Sequence, residues 1–220
     1  KLGTAVDCAV LEPERFAAEY VVAPECDRRT KAGKATWEAF MANGDGKTAI
    51  SQEDMDLVMG MRDSLSQHDM ASRLLFAAGR VQLSIRWQHE CGLNLKSRFD
   101  KLLDCGICLD LKTSSDPTPE GFARSAANFG YHRQAALYMD GRREALGQEG
   151  EFFFVVVGSQ PPYLCAVYEL GQAELELGRR QNEEVIQKLW RAYDTGEWQD
   201  AWSVGIKQLS YPRWAFTQGE

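Results

Sequence analysis

The spacing of apolar residues changes along the chain, and this change is the strongest constraint on the fold. In the first third, apolar residues recur three or four positions apart, as they do in helices. From Val81 to Trp87 they alternate with polar residues, which indicates a half-buried strand. Turn signals at Cys91-Gly92 and Cys105-Gly106 then bound two further predicted strands, 93–103 and 107–113. The three strands together predict an antiparallel meander.

Helical patterns flank the meander on both sides. The first predicted helix either ends near Leu11 or is followed by a short second helix that Pro13 opens. Two more strands are expected at 151–158 and 163–169. The predicted helices cover residues 4–18, 34–41, 51–67, 70–76, 117–128, 131–146 and 172–195. This order predicts an α+β fold with a central mixed sheet flanked by helices.

The length of 220 residues suits one domain. We divide the predicted domain, 1–220, into a helical N-terminal part (1–78), a sheet core (79–170) and a C-terminal helix with its tail (171–220). The chain begins at Lys1 rather than Met, so we expect it to be part of a longer protein.

Charge and composition exclude some classes of function. A net charge of −7 argues against a protein that coats polyanions, but it is compatible with a metal-dependent nuclease, which needs clustered carboxylates and only a local basic track. The apolar runs fall well short of the ~20 residues of a membrane helix, so we expect no membrane partner. Six cysteines without a secretory segment indicate reduced thiols and a cytoplasmic location.

The candidate chemistry lies on the second and third predicted strands. Asp100 and Asp110 are ten residues apart on neighbouring antiparallel strands, which permits both carboxylates to meet at one end of the pair. Asp110 and Lys112 are two residues apart and therefore project from the same face. Converging carboxylates favour a bound Mg²⁺, and a lysine beside it can orient water or offset charge during phosphodiester cleavage. Alone, however, an Asp-x-Lys pair is most often a surface ion pair.

A second motif follows on the helix predicted at 131–146. Gln134 and Tyr138 are four residues apart and share one helix face. The order Asp100, Asp110-Leu111-Lys112, Gln134 and Tyr138 resembles the PD-(D/E)XK nuclease superfamily, and within it the RecB-like branch. The resemblance implies the PD-(D/E)XK core fold with N-terminal helical additions.

Further segments resemble the nuclease domain of RecE (exonuclease VIII) and its phage relatives. Together with the motif above, these segments extend the resemblance over nearly the whole length of the chain: Gly3 to Phe16, Val22-Ala23-Pro24, Asp27 to Lys31, Gly33-Lys34 and Leu209 to Ala215. This resemblance implies a metal-dependent exonuclease that degrades linear double-stranded DNA from 5′ to 3′. It also implies a ring-shaped homo-oligomer and a RecT-like single-strand annealing partner. The expected location is the cytoplasm of a bacterial host cell.

The resemblance also implies roles for individual residues. Asp100, Asp110 and the carbonyl of Leu111 would bind Mg²⁺, for which Mn²⁺ would substitute. Lys112 would orient or activate the attacking water. Gln134 and Tyr138 would position Lys112 or the DNA end.

The sequence departs from the family pattern at two places. Asp7 stands where the family pattern predicts a histidine ligand, and an aspartate is a suitable hard ligand for Mg²⁺. Gln82 stands where relatives often carry a glutamate, so it is a candidate for a residue behind the metal ligands. We hypothesise that the charge added by Asp7 compensates the charge absent at Gln82.

Basic residues outside this motif are candidates for contacts with DNA phosphates. They are Arg28, Arg29, Lys31 and Lys34, together with His132 and Arg133 beside Gln134. Residues of this kind most often form a solvated surface. The pair Cys105 and Cys108 has the C-x-x-C spacing, but only Cys165 lies beyond Tyr138, which argues against an iron–sulfur cluster.

Two alternative functions remain open from the sequence. The first is a RecB-like endonuclease or a repair nuclease of other polarity, because the motif is shared among these enzymes. The second is a DNA-binding module whose metal binding is weakened by Asp7 and Gln82. The presence of Asp110 and Lys112 argues against the second alternative.

Overall fold

The computed structural model describes residues 2–44, 46–198 and 204–213. Within these residues the helices are α1 (Leu2–Leu11), α2 (Pro13–Glu19), α3 (Lys31–Asn43), α4 (Gln52–Gln67), α5 (Asp69–Phe76), α6 (Pro119–Phe129), α7 (Tyr131–Leu146) and α8 (Gln172–Thr195). The strands are β1 (Tyr20–Val22), β2 (Thr48–Ile50), β3 (Gly79–Gln88), β4 (Asn94–Leu103), β5 (Cys108–Ser114), β6 (Phe152–Gly158) and β7 (Cys165–Glu169). Of the tail segment 209–215, Trp214 and Ala215 lie outside the described residues.

The chain forms two compact units. The first, residues 1–182, contains both sheets and every helix up to the first part of α8. The second, residues 183–220, contains the rest of α8 and the described segment 204–213. The single domain expected from the sequence stays a prediction.

A five-stranded sheet in the order β3-β4-β5-β6-β7 forms the centre of the first unit. Its neighbours are antiparallel except for β5 and β6, which are parallel. Parallel neighbours need a long crossover connection, and α6 with α7 provides it. The predicted meander and the α+β class with a mixed sheet are therefore confirmed.

The helices cover both faces of this sheet. On one face, α1, α2, α4 and α5 pack against a cluster that includes Leu109, Leu111 and Val155. On the other, α6 and α7 pack against Phe152 and Phe154 among others. Because side chains of a strand alternate between faces, β5 presents Asp110 and Lys112 on the α7 side, together with Cys108. Among the described residues, no helix combines the length and hydropathy that a membrane span requires.

The N-terminal region differs from the expected pattern in two details. The predicted helix 4–18 is broken at Glu12, and Pro13 opens the separate helix α2, because proline is tolerated in the first turn of a helix but not in its interior. The short strands β1 and β2 form a parallel pair around α3. Strand β2 was not predicted, since three residues are too few to show a period.

Candidate functional site

The hydrogen-bonded ladder between β4 and β5 is short. Where it ends, an aspartate side chain of β4 accepts a hydrogen bond from the backbone of β5. The residue pairs of the ladder are Lys101 with Leu109 and Leu102 with Cys108. Beyond them, the backbone N–H of Leu111 donates a hydrogen bond of 2.9 Å to Oδ2 of Asp100. The side chain of Asp100 therefore connects the two strands at the point where they separate.

The pairing of β3 with β4 is interrupted at the same level. In the register of these strands, Gln82 lies opposite Asp100, yet the two residues are absent from the ladder, which continues on either side. Gln82 has a φ of 53°, which is unusual for a residue other than glycine. Phe99 and Leu102 belong to one apolar cluster, although regular alternation would place them on opposite faces of β4. The backbone is thus irregular on both strands at Asp100, and such irregularities are enriched at functional sites.

The carboxylate of Asp110 is held from two sides. The residue is 2% exposed. Its Oδ1 accepts a hydrogen bond of 2.5 Å from Nε2 of Gln134 on α7, and its Oδ2 forms an ion pair with Nζ of Lys112. Lys112 also lies over the ring of Tyr131, 4.7 Å from the ring centroid. Asp110, Lys112 and Gln134, which the sequence analysis selected, therefore lie together.

Tyr138 supports this arrangement from the next turn of α7. Its ring packs edge-on against Phe99, at 5.2 Å between centroids, and against Phe152, at 6.3 Å. Burial raises the pKa of the Tyr138 hydroxyl, while its hydrogen bond with the side chain of Gln134 lowers it. Gln134 thus interacts with both Asp110 and Tyr138, which restricts its rotamer.

The charges of Asp100 and Asp110 also act on a third carboxyl group, that of Asp7 on α1. Burial first, and then the charges of Asp100 and Asp110, raise the pKa of Asp7 to about 8, while Lys112 opposes the shift. Burial and the charge of Asp110 raise the pKa of Asp100 to about 7. The hydrogen bond from the Leu111 N–H and the charge of Lys112 act in the opposite direction. Burial also raises the pKa of Asp110, against Lys112 and Gln134. The three acids repel one another, and Lys112 is the cation that acts on all of them.

This group of side chains fits a divalent cation with hard oxygen ligands. When ionised, Asp7, Asp100 and Asp110 would carry more negative charge than Lys112 balances. Mg²⁺ and Mn²⁺ prefer carboxylate, carbonyl and water oxygens, whereas zinc favours nitrogen and sulfur ligands. The donors present are therefore suited to Mg²⁺ or Mn²⁺, and a cation would relieve the repulsion.

The predicted DNA-contacting residues lie in two places. On the segment before α3, Arg28 lies over the ring of Trp37 at 4.4 Å, and Arg29 forms an exposed ion pair of 3.1 Å with Asp27. Lys31 and Lys34 are exposed on α3. Their contact with DNA stays a prediction.

His132 and Arg133 are engaged with the first part of α8. A ring nitrogen of His132 hydrogen-bonds to Oε1 of Gln181 at 2.7 Å. The Asn182 side chain donates a bond of 2.7 Å to the carbonyl of Arg133, whose guanidinium lies 3.4 Å from Oδ1 of the same asparagine. These contacts join α7 to α8, and a role in DNA binding stays a prediction.

Two aromatic residues at the site were not selected from the sequence. Tyr131 contacts Lys112 through its ring, and Phe129 stacks on Tyr131. Both lie beside Gly130, and Tyr131 begins the helix that carries Gln134. That proximity was the available signal, but sequence alone does not show that the ring of Tyr131 reaches across to β5.

The fold and the geometry together define a domain of the PD-(D/E)XK type. Its features are a mixed sheet, an Asp-x-Lys pair on the central strand, an aspartate on the preceding strand and a glutamine from the following helix. Residues 1–202 match the family described as a PDDEXK-like domain of unknown function (DUF3799), and the chain belongs to that family.

Comparison with solved structures agrees with this assignment of the fold. The crystal structure of a protein from Eubacterium rectale, described as a "Putative exonuclease", superposes with a TM-score of 0.62 at 13% identity and covers 100% of this chain and 80% of its own. This likeness shows a shared fold. An alkaline exonuclease from Laribacter hongkongensis aligns at a TM-score of 0.30 and 18% identity, over 84% of this chain and 100% of its own, which is too weak to show one. Among curated proteins, none matches the sequence.

Proposed function

We propose that the protein is a divalent-metal-dependent exonuclease that digests linear double-stranded DNA from 5′ to 3′. Membership in a PDDEXK-like family supports a nuclease of the PD-(D/E)XK type. The observation that carries the proposal is the buried Asp110 carboxylate, held by Lys112 and Gln134, with the Asp100 side chain bonded to the neighbouring Leu111 N–H; these oxygen donors suit Mg²⁺. Exonuclease action draws on the resemblance to RecE and on the description of the E. rectale neighbour.

The proposal assigns a role to each side chain. Asp7, Asp100, Asp110 and the carbonyl of Leu111 would hold the cation. When bound, Mg²⁺ supplies Lewis-acid stabilisation of the negative charge that develops on the phosphodiester.

The chain's own polar groups would orient the reaction. Lys112, whose ammonium lies at Asp110, would orient the attacking water or donate to a phosphate oxygen. Gln134 keeps one oxygen of Asp110 engaged, so the carboxylate presents a defined orientation. Gln82, opposite Asp100, would adjust the charge behind the ligands.

The wider assignments belong to the same proposal. The exposed cations Arg28, Arg29, Lys31 and Lys34 would guide the phosphate backbone of the duplex toward the acidic site. A ring-shaped homo-oligomer, a RecT-like annealing partner, a role in recombination and a cytoplasmic location follow from the resemblance to RecE.

Digestion of labelled DNA tests the proposal. A linear duplex with 5′ phosphates and a different fluorophore near each 5′ and 3′ end would be incubated with Mg²⁺, beside a closed circular duplex and an EDTA control. We expect loss of the linear DNA only, with the label near the 5′ end released first. Lys112→Ala should lower the rate on the order of 10²-fold or more, whereas Lys96→Ala, an exposed lysine on β4, should leave it unchanged.

The other outcomes identify the alternatives. Cleavage of the circle would indicate an endonuclease, and earlier release of the 3′ label would indicate the opposite polarity. DNA binding without cleavage in either Mg²⁺ or Mn²⁺ would favour a binding module.

A further inference from the structure

An exposed aromatic side chain stands beside the candidate active site. Phe129, the last residue of α6, is 73% exposed. Single exposed apolar side chains are common on protein surfaces, so the position of Phe129 matters more than its exposure. The ring of Phe129 stacks on that of Tyr131, with 5.7 Å between centroids and 26° between planes.

Tyr131 links Phe129 to both the core and the catalytic lysine. Its ring lies 5.7 Å from that of Phe154 and 5.9 Å from that of Phe122, which are 1% and 4% exposed. Nζ of Lys112 lies 4.7 Å from the Tyr131 centroid. A row of rings therefore runs from the buried core to the surface, and Lys112 contacts its middle member.

A single glycine separates the two residues that carry these rings. Gly130 has φ 68° and ψ 35°, in the left-handed region that favours glycine. It ends α6, its N–H bonding to carbonyls of the preceding turn, and it also precedes the first residue of α7. Phe129 and Tyr131 thus lie on two helices that meet at a single residue, Gly130.

We propose that Phe129 is a stacking platform for an unpaired nucleobase at the DNA end being digested. The inference rests on the proposed function and adds a nucleobase-binding site to it. A phosphodiester placed at Lys112 has its attached base within a nucleotide's reach, and the Phe129 ring lies one aromatic ring away from Lys112. Stacking does not depend on base identity, because every base has a π-face. It therefore suits an enzyme that removes successive nucleotides regardless of sequence.

A fluorescent base at the DNA end tests the platform directly. Wild-type protein would be mixed with a 5′-phosphorylated duplex carrying 2-aminopurine as its 5′-terminal base, with Ca²⁺ in place of Mg²⁺ to limit cleavage. Stacking on Phe129 should quench the fluorescence. Phe129→Ala should remove most of this quenching and raise the KM for linear DNA about tenfold, in line with the measured contribution of base–aromatic stacking. Phe129→Trp should retain both properties.

Phe76→Ala is the matched control. Phe76 is 58% exposed at the end of α5. Its removal should change neither the quenching nor the KM. Size-exclusion chromatography of each variant shows whether the assembly is intact.

The possible results separate this inference from the proposed function. If the wild-type protein cleaves linear DNA and Phe129→Ala quenches 2-aminopurine as strongly as wild type does, the stacking proposal is wrong. The proposed nuclease function would still hold. Phe129→Ala that alters the oligomeric state without altering the quenching would show that a second copy of the chain covers the ring, which also overturns the stacking proposal. If the wild-type protein neither cleaves linear DNA nor quenches 2-aminopurine, both the proposed nuclease function and the stacking platform are wrong.

Discussion

The side-chain amide of Gln134 donates a hydrogen bond of 2.5 Å to Oδ1 of Asp110, while Lys112 pairs with the other oxygen of the same carboxylate. One buried acid is therefore positioned by a neutral donor on a helix and a cation on its own strand. If Asp110 is a metal ligand, as we propose, Gln134 acts through it as a positioning residue, because hydrogen bonds to a metal ligand orient that ligand.

Replacing Gln134 by methionine keeps the volume of the side chain and removes its donor. Asp110 should then sample other orientations, so kcat should fall about 10- to 100-fold while KM changes little. Steady-state digestion of linear DNA measures both values, and circular dichroism reports whether the fold is retained. Gln172→Met, at an exposed position of α8, is the control. An unchanged kcat in Gln134→Met would show that Lys112 alone orients Asp110.

Asp7→Asn tests whether the side chain of Asp7, on the first helix, is a metal ligand. The substitution removes one of three repelling charges without changing the shape of the side chain. Affinity for Mg²⁺ should fall at least about tenfold, because an amide is a weaker ligand than a carboxylate. Isothermal titration calorimetry measures the affinity. Equal affinities in the two proteins would exclude Asp7 from the site.

A double-mutant cycle tests the proposed compensation between Asp7 and Gln82. Asp7→His and Gln82→Glu each shift the site toward the family pattern. If the charge at position 7 offsets the missing charge at position 82, the two substitutions should have non-additive effects on Mg²⁺ affinity. The double variant should then bind Mg²⁺ more tightly than at least one of the single variants. Calorimetry of all four proteins provides the cycle, and simple additivity would count against compensation.

The metal-free protein should lose stability as the pH rises from about 4 to 8. Burial and mutual repulsion raise the pKa of Asp7 to about 8 and that of Asp100 to about 7, from the ordinary aspartate value of 3.8. Between these limits the folded state binds more protons than the unfolded state, so the stability present at low pH is lost as each acid ionises. Thermal unfolding in EDTA across this range measures the trend.

Mg²⁺ should oppose this loss. The carboxylates are more fully ionised at pH 8 than at pH 5, so adding Mg²⁺ should raise the Tm more at pH 8 than at pH 5. Asp7→Asn should flatten the dependence on pH in EDTA. A Tm in EDTA that rises between pH 5 and 8 would contradict the pKa shifts.

Gln82→Gly should stabilise the protein by roughly 1 kcal/mol. Gln82 has a φ of 53° within β3, where a side chain is strained and glycine is not. Ser84→Gly, two residues along the same strand with no such φ, should instead destabilise by about 0.5–1 kcal/mol. Urea unfolding of both variants measures the difference. Destabilisation of equal size at both positions would show that the backbone at Gln82 carries no strain.

Local periodicity determined much of the fold and part of the site. The two-residue period predicted the meander and placed Asp110 and Lys112 on one face of β5, as observed. The four-residue spacing of Gln134 and Tyr138 predicted their shared face of α7. These relationships follow from backbone geometry within single elements, so the amino-acid order alone is sufficient to determine them.

Only the tertiary structure determined which residues of distant elements become neighbours. The charges of Asp100 and Asp110 act on Asp7 because α1 packs against the sheet through an apolar face, an interaction between residues far apart in the chain. The left-handed backbone of Gln82 and the contact of Tyr131 with Lys112 have no local sequence signal either. Both depend on how β3, β4, β5 and α7 come together, because packing between distant segments sets the side-chain neighbours that a single element leaves open.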